Sequence, residues 1–139
     1  FPGTEDQRLG FWPDFEVLTP GIPLEVDNLL VTPHPASHSP MAHPLSLRIE
    51  CCDRVIAYSG DTEWNEFLPV VSRGADLFIC ETFQYRRVTG NHLDYLTLLS
   101  HRHELDSRRI ILTHLGETML DQCCSTEFLC ADDGMTVEL

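Results

Sequence analysis

The sequence predicts an α/β domain in which strands and short helices alternate. Three observations carry this. Apolar runs of strand length alternate with segments of helical period between residues 54 and 122. Two β-rich runs, 45–51 and 54–58, are separated only by Cys52-Asp53, the spacing of a hairpin. Finally, Asp61, Glu81 and His114 each close an apolar run, and in open α/β sheets ligands bind at the carboxyl ends of the strands.

Residues 1–27, rich in Pro, Gly and acid, read as loop with one short strand, the apolar stretch lying at 15–18. Residues 29–32 form a strand candidate. The segment 33–44 carries four prolines and the histidines His34, His38 and His43, and reads as loop. After the hairpin, Ser59-Gly60-Asp61-Thr62 ends a strand and opens a helix over 63–72, where Trp64, Phe67, Leu68 and Val71 recur at i, i+3, i+4, i+7. Gly74 stops that helix. Residues 76–80 form a strand buried on both faces. Asn91 caps a second helix with the stripe Leu93, Leu96, Leu99 and His103. A strand over 109–113 and a short helix over 117–122 follow. Closing strands are expected at 127–130 and 135–139, around the turn Asp132-Asp133-Gly134.

The chain has 139 residues, one domain's worth at most. Hydrophobic residues make up 42% and charged residues 22%, which argues against disorder. Nine basic and 22 acidic residues give a net charge of 9 − 22 = −13. The basic footprint of unaided nucleic-acid binding is absent from this stretch, and no run reaches the length of a membrane span. The six cysteines have no CxxC spacing, so reduced thiols in a cytoplasmic protein are expected. The abrupt start Phe1-Pro2-Gly3 reads as a truncation.

Asp61 has the chemistry of a bridging ligand, since each carboxylate oxygen can bind one cation. His114 at a strand end is a ready zinc ligand. His38 lies in a loop stiffened by Pro35, Pro40 and Pro44. Taken singly, each has a plainer reading: Asp61 as a helix cap, His114 as a polar residue with a backbone partner, His38 as surface loop.

The blocks Tyr58-Ser59-Gly60-Asp61-Thr62-Glu63-Trp64, Gly74-Ala75-Asp76-Leu77-Phe78-Ile79-Cys80-Glu81, Asn91-His92-Leu93-Asp94-Tyr95 and Leu112-Thr113-His114-Leu115-Gly116 with Met119-Leu120 resemble, in this order, the metallo-β-lactamase-fold hydrolases. The branch most similar is that of ribonuclease Z and small phosphodiesterases. The resemblance covers residues 24–139 and includes the closing Ala131-Asp132-Asp133-Gly134-Met135. It implies half of an αββα sandwich: a mixed sheet with helices on one outer face, the C-terminal part of a single domain. It also implies two divalent metal ions, most readily zinc, with manganese or iron as substitutes. His38 would hold the first ion, Asp61 would bridge, and His114 would hold the second.

Further ligands would come from an HxHxDH motif, which this chain lacks; His101-Arg102-His103 imitates its start, but Glu104-Leu105 follows. Glu81 and His92 match a pair in which His92 protonates the leaving group and Glu81 orients it. Cys80 stands where ribonuclease Z has a histidine, which favours a small ester or phosphodiester over tRNA. The implied reaction is hydrolysis by a hydroxide held between the ions. Implied partners are a small-molecule or phosphodiester substrate and, as an oligomer, a second copy of the chain; nucleic acid is unsupported by the charge, and no membrane is involved. The rival readings are a non-catalytic remnant or interaction domain of the same ancestry, a lactonase or thioesterase of the same fold, and an unrelated α/β binding domain. Three ligands cannot close two metal sites, so the 139 residues alone are expected to bind metal weakly and to be poorly soluble.

Overall fold

The computed structural model of the chain describes residues 15–139 apart from residues 40, 42 and 89. The expected loop over residues 1–14, and Pro40 among the stiffening prolines, therefore lie outside the described residues. One seven-stranded sheet dominates, with its strands in sequence order from β1 to β7. Strands β1 (Leu24–Val26), β2 (Leu29–Pro35), β3 (Leu45–Cys51) and β4 (Arg54–Tyr58) form an antiparallel meander. Strands β5 (Leu77–Glu81), β6 (Ile110–Thr113) and β7 (Leu129–Cys130) then add in parallel. The sheet is mixed, as expected.

The β3–β4 hairpin falls where the spacing predicts it. Cys52 and Asp53 both take positive φ, 50° and 62°, the primed turn whose twist matches that of the flanking strands. Strand β2 runs three residues further than expected, through Pro33 and Pro35. Its geometry explains why two prolines are tolerated. The Pro33 carbonyl accepts from the Gly21 amide, on the side away from β3. Pro35 has the same parity, so neither missing N–H is owed to the β3 ladder.

The helices are shorter than their periodicity predicts. Helix α1 spans only Leu68–Ser72, because Pro69 sits at its first turn. A proline deeper in a helix would clash with the preceding turn and lose a hydrogen bond. Residues 62–67 instead form a loop, in which the Asn65 side chain bonds Thr62, the Glu63 carbonyl and the Phe67 amide. Helix α2 is Tyr95–Ser100, and its N-cap is Asp94 rather than Asn91: the Asp94 carboxylate accepts from the Thr97 amide at 3.0 Å and from the Thr97 hydroxyl at 2.6 Å. Its buried face is Tyr95 and Leu98. Helix α3 is Glu117–Leu120. Two expected closing strands shrink as well. Only Leu129–Cys130 pairs, and residues 135–139 form no strand. No strand forms at residues 15–18, where Phe15 and Val17 are exposed. Each of these segments is too short or too polar to bury both faces.

The core lies on one face of the sheet. Ala57, Phe78, Cys80, Ile110 and Leu112 point from β4, β5 and β6 into a cluster completed by Leu68 and Val71 of α1, Tyr95 and Leu98 of α2, and Met119 of α3. Burial pushes the Cys80 thiol far up, so it behaves as a small apolar residue. The opposite face carries Leu47, Ile49, Ile56, Tyr58, Leu77, Ile79 and Ile111. It is apolar but only part-buried at several positions, and Tyr58 is 37% exposed. None of the described helices is long and apolar enough to cross a membrane.

Asp76 anchors the amino ends of the parallel strands. Its carboxylate accepts from the Val55 amide at 3.0 Å and pairs with Arg108 at 3.0 Å and Arg54 at 3.3 Å. The Val55 hydrogen bond, aided by Arg108 and Arg54, holds its pKa below the usual carboxylate range. A depressed folded-state pKa stabilises above the unfolded value, and that contribution is lost as pH falls through the folded one. Asp76→Asn is therefore expected to lower the thermal midpoint at pH 7. Below the ordinary carboxylate range the gap to wild type should close, as differential scanning calorimetry at the two pH values would show.

Candidate metal centre

The carboxyl ends of β4, β5 and β6, three adjacent parallel strands, deliver Asp61, Glu81 and His114 to one edge. His92 comes to the same place from the segment before α2. One ligand atom from each of these four residues lies within 4.8 Å of those of the other three. Within the cluster, His114 Nδ1 stands 3.0 Å from Asp61 Oδ1, and His92 Nδ1 stands 2.5 Å from Glu81 Oε1. His114 Nδ1 is 3.5 Å from Glu81 Oε1.

Local sequence explains the placement. After β4 the chain must turn sharply to present Asp61. Gly60 takes φ +62°, and a Cβ there would sit 2.4 Å from the Leu45 carbonyl oxygen, so only glycine fits. Ser59 pins the turn from both sides. Its carbonyl accepts from the Ser46 hydroxyl at 2.6 Å, and its own hydroxyl accepts from the Glu81 amide at 2.7 Å. His114 itself has φ +54°, a conformation unusual for a residue with a side chain and frequent at functional sites. Gly116 then lets its amide reach the Phe83 carbonyl at 2.9 Å; a Cβ on it would lie 2.6 Å from that same oxygen.

Exposure differs sharply across the four. The Glu81 side chain is 1% exposed, His92 20%, His114 39% and Asp61 47%. A buried carboxylate is costly unless hydrogen-bonded. Glu81 receives the Thr62 amide on Oε2 at 3.1 Å and His92 on Oε1. Asp61 and His114 are more open.

The structure brings together four of the five site residues expected from sequence. The fifth, His38, adjoins them: its ring packs edge-on against His92 with centroids 4.9 Å apart, but it is not one of the four converging residues. His101 and His103 fall outside the site. His101 stacks on Trp64 at 4.3 Å and pairs with Glu104, and His103 is exposed.

Three further residues belong to the site. The ring of Phe83 lies 4.8 Å from His92 and 5.2 Å from His114, forming an apolar wall behind both imidazoles. Thr62 supplies the amide to Glu81; its place beside Asp61 is the one signal that could have found it. Tyr58 stands close enough to sense the site. Burial, then the Asp61 and Glu81 carboxylates, push its phenol up.

The Asp61 carboxylate and the His114 imidazole are donors that zinc, manganese and iron accept. A 3.0 Å gap between His114 and Asp61 matches two ligands of one ion at about 2.0–2.2 Å each. No model of a protein family matches the chain, and no curated protein matches it. Solved structures do. It is similar to the metallo-β-lactamase fold protein YhfI from Bacillus subtilis, with a TM-score of 0.72 and 22% identity over 86% of this chain and 54% of that one. It is similar to zinc-bound PqqB from Methylobacterium extorquens, with a TM-score of 0.70 and 15% identity over 89% and 55%. Likeness extends to the short form of human tRNase Z, with a TM-score of 0.60 and 17% identity over 83% and 44%. The chain has the metallo-β-lactamase fold and spans about half the length of the solved structures it matches.

The Gly60 turn yields a direct test. An alanine in the left-handed region costs about 1–2 kcal/mol, and here a backbone clash adds to it. Gly134 has φ +77° with open space around it, so Gly134→Ala carries the conformational cost alone. Urea denaturation should show Gly60→Ala as clearly the more destabilising. Equal costs would mean the turn before Asp61 is not as tight as described.

Proposed function

We propose that this chain supplies one side of a two-metal hydrolase site acting on a phosphodiester or another ester. The observation that carries the reading is the convergence of Asp61, Glu81, His92 and His114 at the ends of three parallel strands. Asp61 and His114 would hold metal, with His38 as a further ligand. The likeness to a zinc-bound protein of this fold favours zinc. Divalent ions bound there supply Lewis-acid polarisation of the substrate and a water that ionises near neutral pH. They would also offset part of the −13 charge of the chain for an anionic substrate.

The chain's own residues do the rest. Glu81 Oε1 accepts from His92 Nδ1 and so orients the ring, leaving Nε2 as the other ring nitrogen. In its imidazolium form, with a second proton on Nε2, His92 would deliver that proton to a departing oxygen and return to the neutral ring. Phe83 shields both imidazoles from water on one side. The ligands still needed for two ions would come from the part of the fold that this chain does not span. The apolar sheet face of Leu47, Ile49, Ile56 and Ile79 supports that reading, because a second layer would bury it.

A substrate series in the full-length protein tests this, with phosphodiester, lactone and thioester members. His92→Ala should lower kcat by about 10²–10⁴-fold for alkoxide leaving groups. Nitrophenolate, which departs without a proton, should be affected little. An equal loss for both leaving groups would contradict the assignment of His92 as proton donor.

A further inference from the structure

We infer that Glu63 is a positioning residue that latches the His92 segment to the Asp61 turn. The inference rests on the reading of His92 above and concerns how that side chain is held. Glu63 lies two residues after Asp61, in the loop that takes the place of the expected helix. Its Oε1 accepts from the Asn91 amide at 2.6 Å and from Arg87 at 3.3 Å. Asn91 immediately precedes His92 and takes φ +74°. A left-handed asparagine held by a short hydrogen bond sets where the next residue begins.

The segment that needs the latch leaves the sheet after Glu81. It is anchored at its base by hydrogen bonds between Phe83 and Leu93, between Tyr95 and Gln84, and between Leu96 and Tyr85. Residues 86–88 and 90–92 lie in no helix or strand. Glu63 reaches them from across the site. The same residue also ties down the other flank, because its backbone amide donates to the Ser37 carbonyl at 2.6 Å. The Ser37 amide in turn donates to the Thr62 hydroxyl at 2.8 Å. Ser37 precedes His38 as Asn91 precedes His92. The dipeptide Thr62-Glu63 therefore fastens both histidine segments to the loop that carries Asp61, while the Thr62 amide holds Glu81. Three site residues, His38, Glu81 and His92, are thereby placed with respect to Asp61 through two adjacent residues.

The charge of Glu63 is paired with an exposed arginine, and such pairs contribute little. The contact that matters is the acceptor on the Asn91 amide. Glu63→Gln keeps that acceptor and loses the charge, Glu63→Ala removes both, and Arg87→Met removes only the ion pair. In the full-length protein, the Asn91 amide resonance and its hydrogen exchange are read together with the His92 ring nitrogens. Glu63→Ala should speed Asn91 exchange and shift the His92 signals, and it should lower kcat by roughly 10- to 100-fold with KM little changed. Glu63→Gln should restore most of both readouts, and Arg87→Met should leave the Asn91 amide protected. The inference is overturned if Asn91 and His92 signals are unmoved in Glu63→Ala, or if Glu63→Gln behaves as Glu63→Ala does. The resonance readout needs no turnover, so the latch can hold even if no ester is hydrolysed, and that outcome would sink the hydrolase reading alone.

Discussion

A carboxylate buried to 1% exposure governs the architecture of this edge. Glu81 ends a strand that is enclosed on both sides, where water cannot solvate it, and an ion placed there must find hydrogen-bond donors in the protein. The donors come from the neighbouring connections. Thr62 belongs to the turn after β4 and His92 to the segment after β5; His114, after β6, stands 3.5 Å from the carboxylate without a hydrogen bond to it. Satisfying one side chain therefore draws two connections to the end of β5, beside the turn that carries His114. The same convergence sets two imidazoles and a second carboxylate within reach of one another, which is the arrangement metal chemistry requires.

Around that point the backbone is held in conformations that only particular residues tolerate. Gly60 and His114 both lie in the left-handed region, on either side of Glu81. One is glycine because a carbonyl occupies the space a side chain would need. The other, His114, brings its imidazole into the cluster with Asp61, Glu81 and His92. Serines 46 and 59 link the Gly60 turn to β3 and β5, so the exposed Asp61 stands on a hydrogen-bonded base. Rigid support beneath exposed ligands lowers the cost of organising them when a metal or substrate arrives.

Much of this was legible in the sequence because it is written in local patterns. The Cys52-Asp53 hairpin, the buried runs of β5 and β6, and polar residues at strand ends need only adjacent residues to be read. Apolar period alone overstates the reach of α1, because the ring of Pro69 sets where that helix can begin. Asn91 was taken for the cap of α2 when Asp94 is the residue that bonds Thr97. Two prolines hid the end of β2, since their harmless orientation depends on which neighbour each N–H would have faced. Phe83 and Glu63 left no trace in spacing. Their contacts join residues about 10 to 30 positions apart, and they exist only once the sheet has brought the loops together. Family resemblance supplied His38, which the fold sets beside His92 without joining it to the four converging residues.

The central claim is that Asp61 and His114 are ligands of one ion, with Glu81 and His92 paired beside it. Anomalous scattering at the zinc edge, measured on crystals of the full-length protein grown with zinc, tests it most directly. A zinc peak should lie within about 2.0–2.3 Å of a His114 ring nitrogen and an Asp61 carboxylate oxygen, with the Glu81–His92 contact intact. A peak elsewhere, or none at this edge of the sheet, would contradict it.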